Sequence, residues 1–124
     1  MKVLLVDDEL DIRTIGRLSL DRIGKFETLV AASAAEALAV ATAEHPDVIL
    51  LDVLMPEMVG LATLAALRED PDLRAIPVVF LTARTHPGEE ARYLALGAVG
   101  VIRKPFDPMT LPADLLRLLA QSAS

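Results

Sequence analysis

The sequence predicts an α/β domain in which a parallel sheet is covered by helices on both faces. Three of its strand-like runs, Val3-Leu4-Leu5-Val6, Val48-Ile49-Leu50-Leu51 and Val78-Val79-Phe80-Leu81, are apolar throughout. A strand buried on both faces reads that way, whereas a half-solvated strand alternates. Strand-like and helix-like patterns also alternate five times along the chain, an order that joins parallel strands through right-handed crossovers. Pro and Gly punctuate these segments, and there is no repeat, low-complexity tract or linker.

In chain order, the strand-like runs are Lys2–Val6, Glu27–Ala31, Val48–Leu51, Val78–Leu81 and Val99–Ile102. The first helix is predicted over Leu10–Ile23, with Ile12, Ile15, Leu18 and Ile23 near helical spacing. Ser33-Ala34-Ala35-Glu36 has the form of a capping box and opens a second helix over Ala34–Glu44. A third helix is expected near Leu61–Arg68 and a fourth near Gly88–Leu96, closed by Gly97. The fifth runs from Leu111 to about Ala120. Thr110 is its expected cap, and Pro112 falls in the first turn, where a missing N–H costs nothing.

Composition narrows the function. With 124 residues, 53% of them hydrophobic and 24% charged, the chain reads as a single globular domain over 1–124 with no output domain. Aromatics are 3% and Trp is absent, so a base-stacking surface is not expected. A net charge of −6 repels a phosphate backbone, and no direct nucleic-acid binding is expected. The absence of Cys excludes disulfides, zinc-thiolate sites and thiol nucleophiles, and fits a reducing, cytoplasmic setting. The apolar start ends at Asp7-Asp8-Glu9, too short for a signal peptide or membrane span.

In open parallel sheets ligands bind beyond the carboxyl ends of the strands. Asp7, Asp8 and Glu9 follow the first strand, Asp52 the third, Thr82 the fourth and Lys104 the fifth. Taken singly, the acidic run is a helix N-terminal charge cluster, Thr82 a turn residue and Lys104 a solvated charge. Asp52 is harder to dismiss, because it follows four apolar residues at the core's edge. Together they change meaning. Converging carboxylates destabilise a fold unless a cation neutralises them, and oxygen ligands favour a hard divalent ion such as Mg²⁺. A cation, a lysine and a hydroxyl around one carboxylate form a pocket for a phosphoryl group. A carboxylate can itself be the nucleophile, giving an aspartyl-phosphate.

The stretches Leu4-Leu5-Val6-Asp7-Asp8-Glu9, Asp52-Val53-Leu54-Met55-Pro56, Gly60, Leu81-Thr82-Ala83 and Lys104-Pro105-Phe106 resemble, in order and spacing, the receiver domain of two-component response regulators, the CheY-like family. The resemblance covers essentially the whole chain. It implies a flavodoxin-like three-layer (β/α)5 fold with a five-stranded parallel sheet in the order 2-1-3-4-5. Asp52 is then similar to the phospho-acceptor. Asp7, Asp8, Asp52 and the backbone carbonyl of Leu54 would be the Mg²⁺ ligands, Asp8 the more direct of the first two. Thr82 is similar to the hydroxyl residue that moves to the bound phosphoryl group, and Lys104 to the lysine that pairs with the acceptor. The Lys104-Pro105 peptide is often cis in the family. The implied protein is a regulatory phospho-acceptor and not an enzyme acting on small substrates. Its implied donor is a sensor histidine kinase or a histidine phosphotransfer protein. The readout surface is the fourth helix, fifth strand and fifth helix, on a monomer or a phosphorylation-dependent homodimer with no membrane association.

Two positions depart from the family pattern. Val101 stands where an aromatic switch residue is usual, and Val59 where an acid is common before Gly60. Leu54 and Arg84 would flank the path of hydrolytic water, and an apolar Leu54 predicts a phosphoryl lifetime that is not especially short. A phosphatase of the haloacid-dehalogenase type would need an acid two residues after its Asp, where this chain has Leu54. A dinucleotide module would need a phosphate-accepting loop after the first strand, where Asp7-Asp8-Glu9 repels phosphate. A purely structural docking domain is separated from these by Asp52→Asn. His45 and His86 are expected at the surface, and the Met residues as core filler or exposed turn.

Overall fold

The computed structural model describes residues 1–53, 59–83 and 88–123. Five strands, β1 (Lys2–Val6), β2 (Glu27–Ala31), β3 (Val48–Asp52), β4 (Val78–Thr82) and β5 (Gly100–Arg103), form one sheet in the order β2-β1-β3-β4-β5. Every neighbouring pair is parallel. The helices are α1 (Leu10–Leu18), α2 (Ala34–Glu44), α3 (Val59–Glu69), α4 (Glu89–Ala95) and α5 (Leu111–Ala123). This is the α/β architecture and strand order that the sequence led us to expect.

Strand alternation divides the core in two. Leu4, Val6, Ile49, Leu51, Val78 and Phe80 face one side, under Ala37 and Ala41 of α2, Leu64 and Leu67 of α3 and Tyr93 of α4. Val3, Leu5, Val48, Leu50, Val79 and Leu81 face the other, against Leu20 and against Leu111 and Leu115 of α5. The apolar runs are therefore continuous because both sets are needed at once.

β3 and β4 each run one residue beyond the expected apolar stretch, taking in Asp52 and Thr82. Asp52 pairs across to Leu81 and Thr82 to Arg103, so backbone pairing continues after the hydrophobic signal stops. β5 begins at Gly100 rather than Val99, although the Val99 amide still donates to the Val78 carbonyl at 2.9 Å.

The first helical segment is not uniform. After Leu18 the backbone widens into a π turn over Ser19–Ile23, with the Gly24 amide reaching the Ser19 carbonyl at 3.1 Å. A period read from apolar spacing cannot register one extra residue in a turn. The cap of α2 is formed as expected, the Glu36 amide donating to Ser33 Oγ at 3.2 Å. That helix ends at exposed His45, whose φ of 47° is left-handed. Thr110 stands at the cap position of α5, directly before Leu111, and its carbonyl accepts from the Asp114 amide at 2.9 Å. Its hydroxyl lies 3.4 Å from both the Asp107 carbonyl and Asp114 Oδ2, which are its acceptors. Asp107 Oδ1 organises the turn by accepting from the Met109 amide at 2.8 Å.

Arg68, near the end of α3, ties three segments together. Its guanidinium donates to the carbonyls of Arg74 at 2.9 Å, Ile76 at 3.1 Å and Gly97 at 3.0 Å. Among the described residues, no helix is long and apolar enough to cross a membrane.

Candidate functional site

The site lies at the carboxyl ends of β1, β3, β4 and β5. Asp7 leaves β1 fully buried, its amide bonded to the Ala31 carbonyl at 3.1 Å. Its Oδ1 accepts from the Glu9 amide at 2.9 Å, and its carbonyl accepts from the Arg13 guanidinium at 2.8 Å. Arg13 was not singled out by sequence, because a lone Arg on a helix carries no chemical pattern. Asp8 is exposed beside the pocket, and Asp52 is buried as the last residue of β3. Carboxylate oxygens of Asp7, Asp8 and Asp52 all lie within 4.8 Å of one another.

Lys104 enters from the end of β5. Its Nζ lies 2.5 Å from Asp7 Oδ2 and 3.2 Å from Asp52 Oδ2. The Asp7 contact is an ion pair rather than a well-angled hydrogen bond, so this buried oxygen has charge compensation but no oriented donor. Burial by itself would lower the Lys104 pKa. The contact with Asp7 and the charges of Asp52 and Asp7 outweigh it and hold the ammonium above the ordinary lysine value.

Thr82 is buried at the end of β4, and its carbonyl accepts from the Lys104 amide at 2.9 Å. The backbones of these two residues are thus joined at the mouth of the pocket. The Lys104-Pro105 peptide is cis. Leu54, Arg84 and His86 lie outside the described residues, as does the side chain of Val59.

Among the described residues, three carboxylates face the Lys104 ammonium, with the Arg13 guanidinium on the Asp7 carbonyl, so negative charge exceeds positive at close range. Excess negative charge calls for a cation, and an all-oxygen donor set suits a hard divalent one. The residues present therefore fit a metal ion of the Mg²⁺ type.

Val101, at the position noted for lacking an aromatic ring, is half-buried and packs against the cluster containing Phe80 and Tyr93. In that cluster Tyr93 of α4 stands edge-on to Phe80, and its hydroxyl donates to Glu89 Oε2 at 3.0 Å. Helical spacing alone did not distinguish Tyr93 from any other residue of α4.

A five-stranded parallel sheet with an acidic pocket and a lysine at its carboxyl edge defines a class of signalling domains, and comparison with known proteins gives the family. The sequence profile described as "Response regulator receiver domain" matches residues 3–116, and the chain belongs to that family. It is 39% identical over 121 residues to the probable transcriptional regulator ycf27 of Cyanophora paradoxa, covering 98% of this chain and 49% of the relative. It is 37% identical to response regulator Rre1 of a Synechocystis strain, covering 98% of this chain and 52% of the relative. The chain thus spans about half the length of these curated relatives. In three dimensions it resembles the chemotaxis response regulator CheY4 of Vibrio cholerae. The TM-score is 0.85 and the identity 38%, over 94% of this chain and 97% of that one. A response regulator from Desulfuromonas acetoxidans gives a TM-score of 0.86 at 30% identity, over 97% of each chain.

Proposed function

We propose that this receiver domain accepts a phosphoryl group on Asp52, in a reaction that requires Mg²⁺. The observation that carries the reading is the bridging position of Lys104, whose one ammonium reaches both Asp7 and Asp52 within a cluster of three carboxylates. A pocket built only for stability would not concentrate like charge at the edge of a core.

Asp7, Asp8 and Asp52 would hold the ion, with the Leu54 carbonyl as the remaining protein ligand implied by the family resemblance. When bound, the ion neutralises charge on the phosphoryl oxygens and on the acceptor. A carboxylate oxygen of Asp52 attacks phosphorus as the bond from phosphorus to the donor's imidazole nitrogen breaks. That nitrogen keeps the bonding pair, and an acyl phosphate remains on Asp52. Lys104 offsets the added negative charge, and the Thr82 hydroxyl donates to a phosphoryl oxygen. Phosphorylation takes the group from −1 to about −1.5 to −2 and adds acceptor oxygens, so it favours whichever conformation brings donors to them.

The donor is a phosphohistidine on a sensor histidine kinase or histidine phosphotransfer protein, in the cytoplasm. The surface formed by α4, β5 and α5 reads out the change to a downstream protein, on a monomer or a phosphorylation-dependent homodimer. The test is incubation with acetyl phosphate and Mg²⁺ followed by intact mass. One added phosphoryl group is expected, lost on chelating the metal and absent from Asp52→Asn. No added mass on the folded wild-type protein overturns the reading.

A further inference from the structure

The ammonium of Lys104 is placed by a segment with few anchors. Pro105 and residues 107–110 are exposed, so the stretch leading from β5 into α5 cannot be held by its own burial. It is fixed at its start by the Lys104 amide on the Thr82 carbonyl. It is fixed further on by α1. Phe106 is half-buried against Gly16, close enough that a Cβ added at Gly16 would stand 3.6 Å from the ring. Beyond it, the hydroxyl of Ser19 donates to the carbonyl of Pro108. Ser19 is 2% exposed and opens the π turn that ends α1. π turns recur at functional sites, and here the wide turn begins at the residue that grips the lysine-bearing segment.

We propose that Ser19 is a positioning residue for Lys104, acting through the Pro108 carbonyl to hold the ammonium at Asp7 and Asp52. This rests on the phospho-acceptor reading above. Ser19 touches neither carboxylate. Its contribution is to remove freedom from the segment between Lys104 and α5, so that the ammonium is already placed when the phosphoryl group arrives. Small displacements of a charged group at a reacting centre are costly in rate, which makes a distant anchor kinetically visible.

The test is a double-mutant cycle on the rate of phosphorylation by acetyl phosphate with Mg²⁺, for wild type, Ser19→Ala, Lys104→Ala and the double variant. Thermal melts establish the folded fraction of each. Ser19→Ala is expected to react about tenfold more slowly than wild type. In the Lys104→Ala background the same change is expected to have no further effect, because there is no ammonium left to place. A merely structural role would multiply the two losses, and that outcome overturns the proposal, as does a wild-type rate for Ser19→Ala. If Ser19→Ala does not fold, Ser19→Cys, which keeps the volume and weakens the donor, takes its place with the same outcomes. Absence of any label on folded wild type overturns the phospho-acceptor reading itself and this proposal with it.

Discussion

Lys104 stands closer to Asp7 than to Asp52, with its ammonium 2.5 Å from one carboxylate and 3.2 Å from the other. The lysine therefore compensates the residue that would bind metal as much as the one that would accept phosphate. A divalent ion held by these carboxylates would compete with this ammonium for the same oxygens.

Removing the lysine should therefore strengthen metal binding. A unit charge a few ångströms from a divalent ion opposes it even in water-like surroundings, so Lys104→Met is expected to bind Mg²⁺ about tenfold more tightly. Isothermal titration of both proteins at one ionic strength measures this. Equal or weaker affinity in the variant would show that the ammonium and the ion do not compete.

Asp52→Asn removes one of three converging carboxylates while leaving Lys104 its contact with Asp7. The resting protein should gain about 1 kcal/mol without metal, read as a rise of about 4 °C in Tm. Mg²⁺ should raise the Tm of wild type by mass action and that of the variant by less. Calorimetry with and without the ion gives both numbers, and a destabilised Asp52→Asn would contradict the repulsion argument.

The raised pKa of Lys104 fixes the sign of a pH effect. The folded state binds this proton more tightly than the unfolded chain, so the associated stability is fully present below the ordinary lysine value. It is lost as pH rises through the higher folded value. Denaturant melts should show wild type losing stability over that alkaline range while Lys104→Met does not. Parallel curves for the two proteins would refute the linkage.

Tyr93 is the one tyrosine of a chain without tryptophan, so its emission reports on α4 alone. Its ring lies 5.2 Å from that of Phe80 at 70°. Phosphorylation, or beryllofluoride with Mg²⁺, should alter that emission, and the change should be absent from Asp52→Asn. Tyr93→Phe should cost about 1 kcal/mol through the lost bond to Glu89, and Tyr93→Ala about 3 kcal/mol through the emptied space. Emission indifferent to the state of Asp52 would separate α4 from the pocket.

The sheet and the pocket were legible in the sequence for one physical reason. A strand covered on both faces must be apolar until it reaches the edge, so after the β1, β3 and β4 runs the first polar residue stands at the pocket, whereas in β5 exposed Arg103 comes before Lys104. Asp7 and Lys104 stand directly after their strands. Asp52 and Thr82 prove to be the last paired residues of theirs, a difference that hydrophobicity cannot see because pairing is a backbone property. The π turn at Ser19 was illegible because a single extra residue leaves the apolar spacing nearly unchanged. The Thr110 hydroxyl could not be assigned as donor or acceptor without Asp107 and Asp114 in place. Tyr93 was illegible because nothing in helical spacing tells which residue of α4 reaches the cluster that Val101 packs against.

The grip of Arg68 on the Gly97 carbonyl also governs how α4 is able to travel. One guanidinium anchors the far end of that helix to α3 and to the segment entering β4. Sliding along its own axis would break that anchorage, whereas rotation about it would not. Were α4 to move on phosphorylation of Asp52, this anchor would turn the motion into an arc, small beside Gly97 and widest at Glu89. For a helix of this length, a tilt of ~10° carries the Glu89 end about 2 Å. A partner reading α4 would then gain most at the Glu89 end, with Arg68 as the pivot of the other.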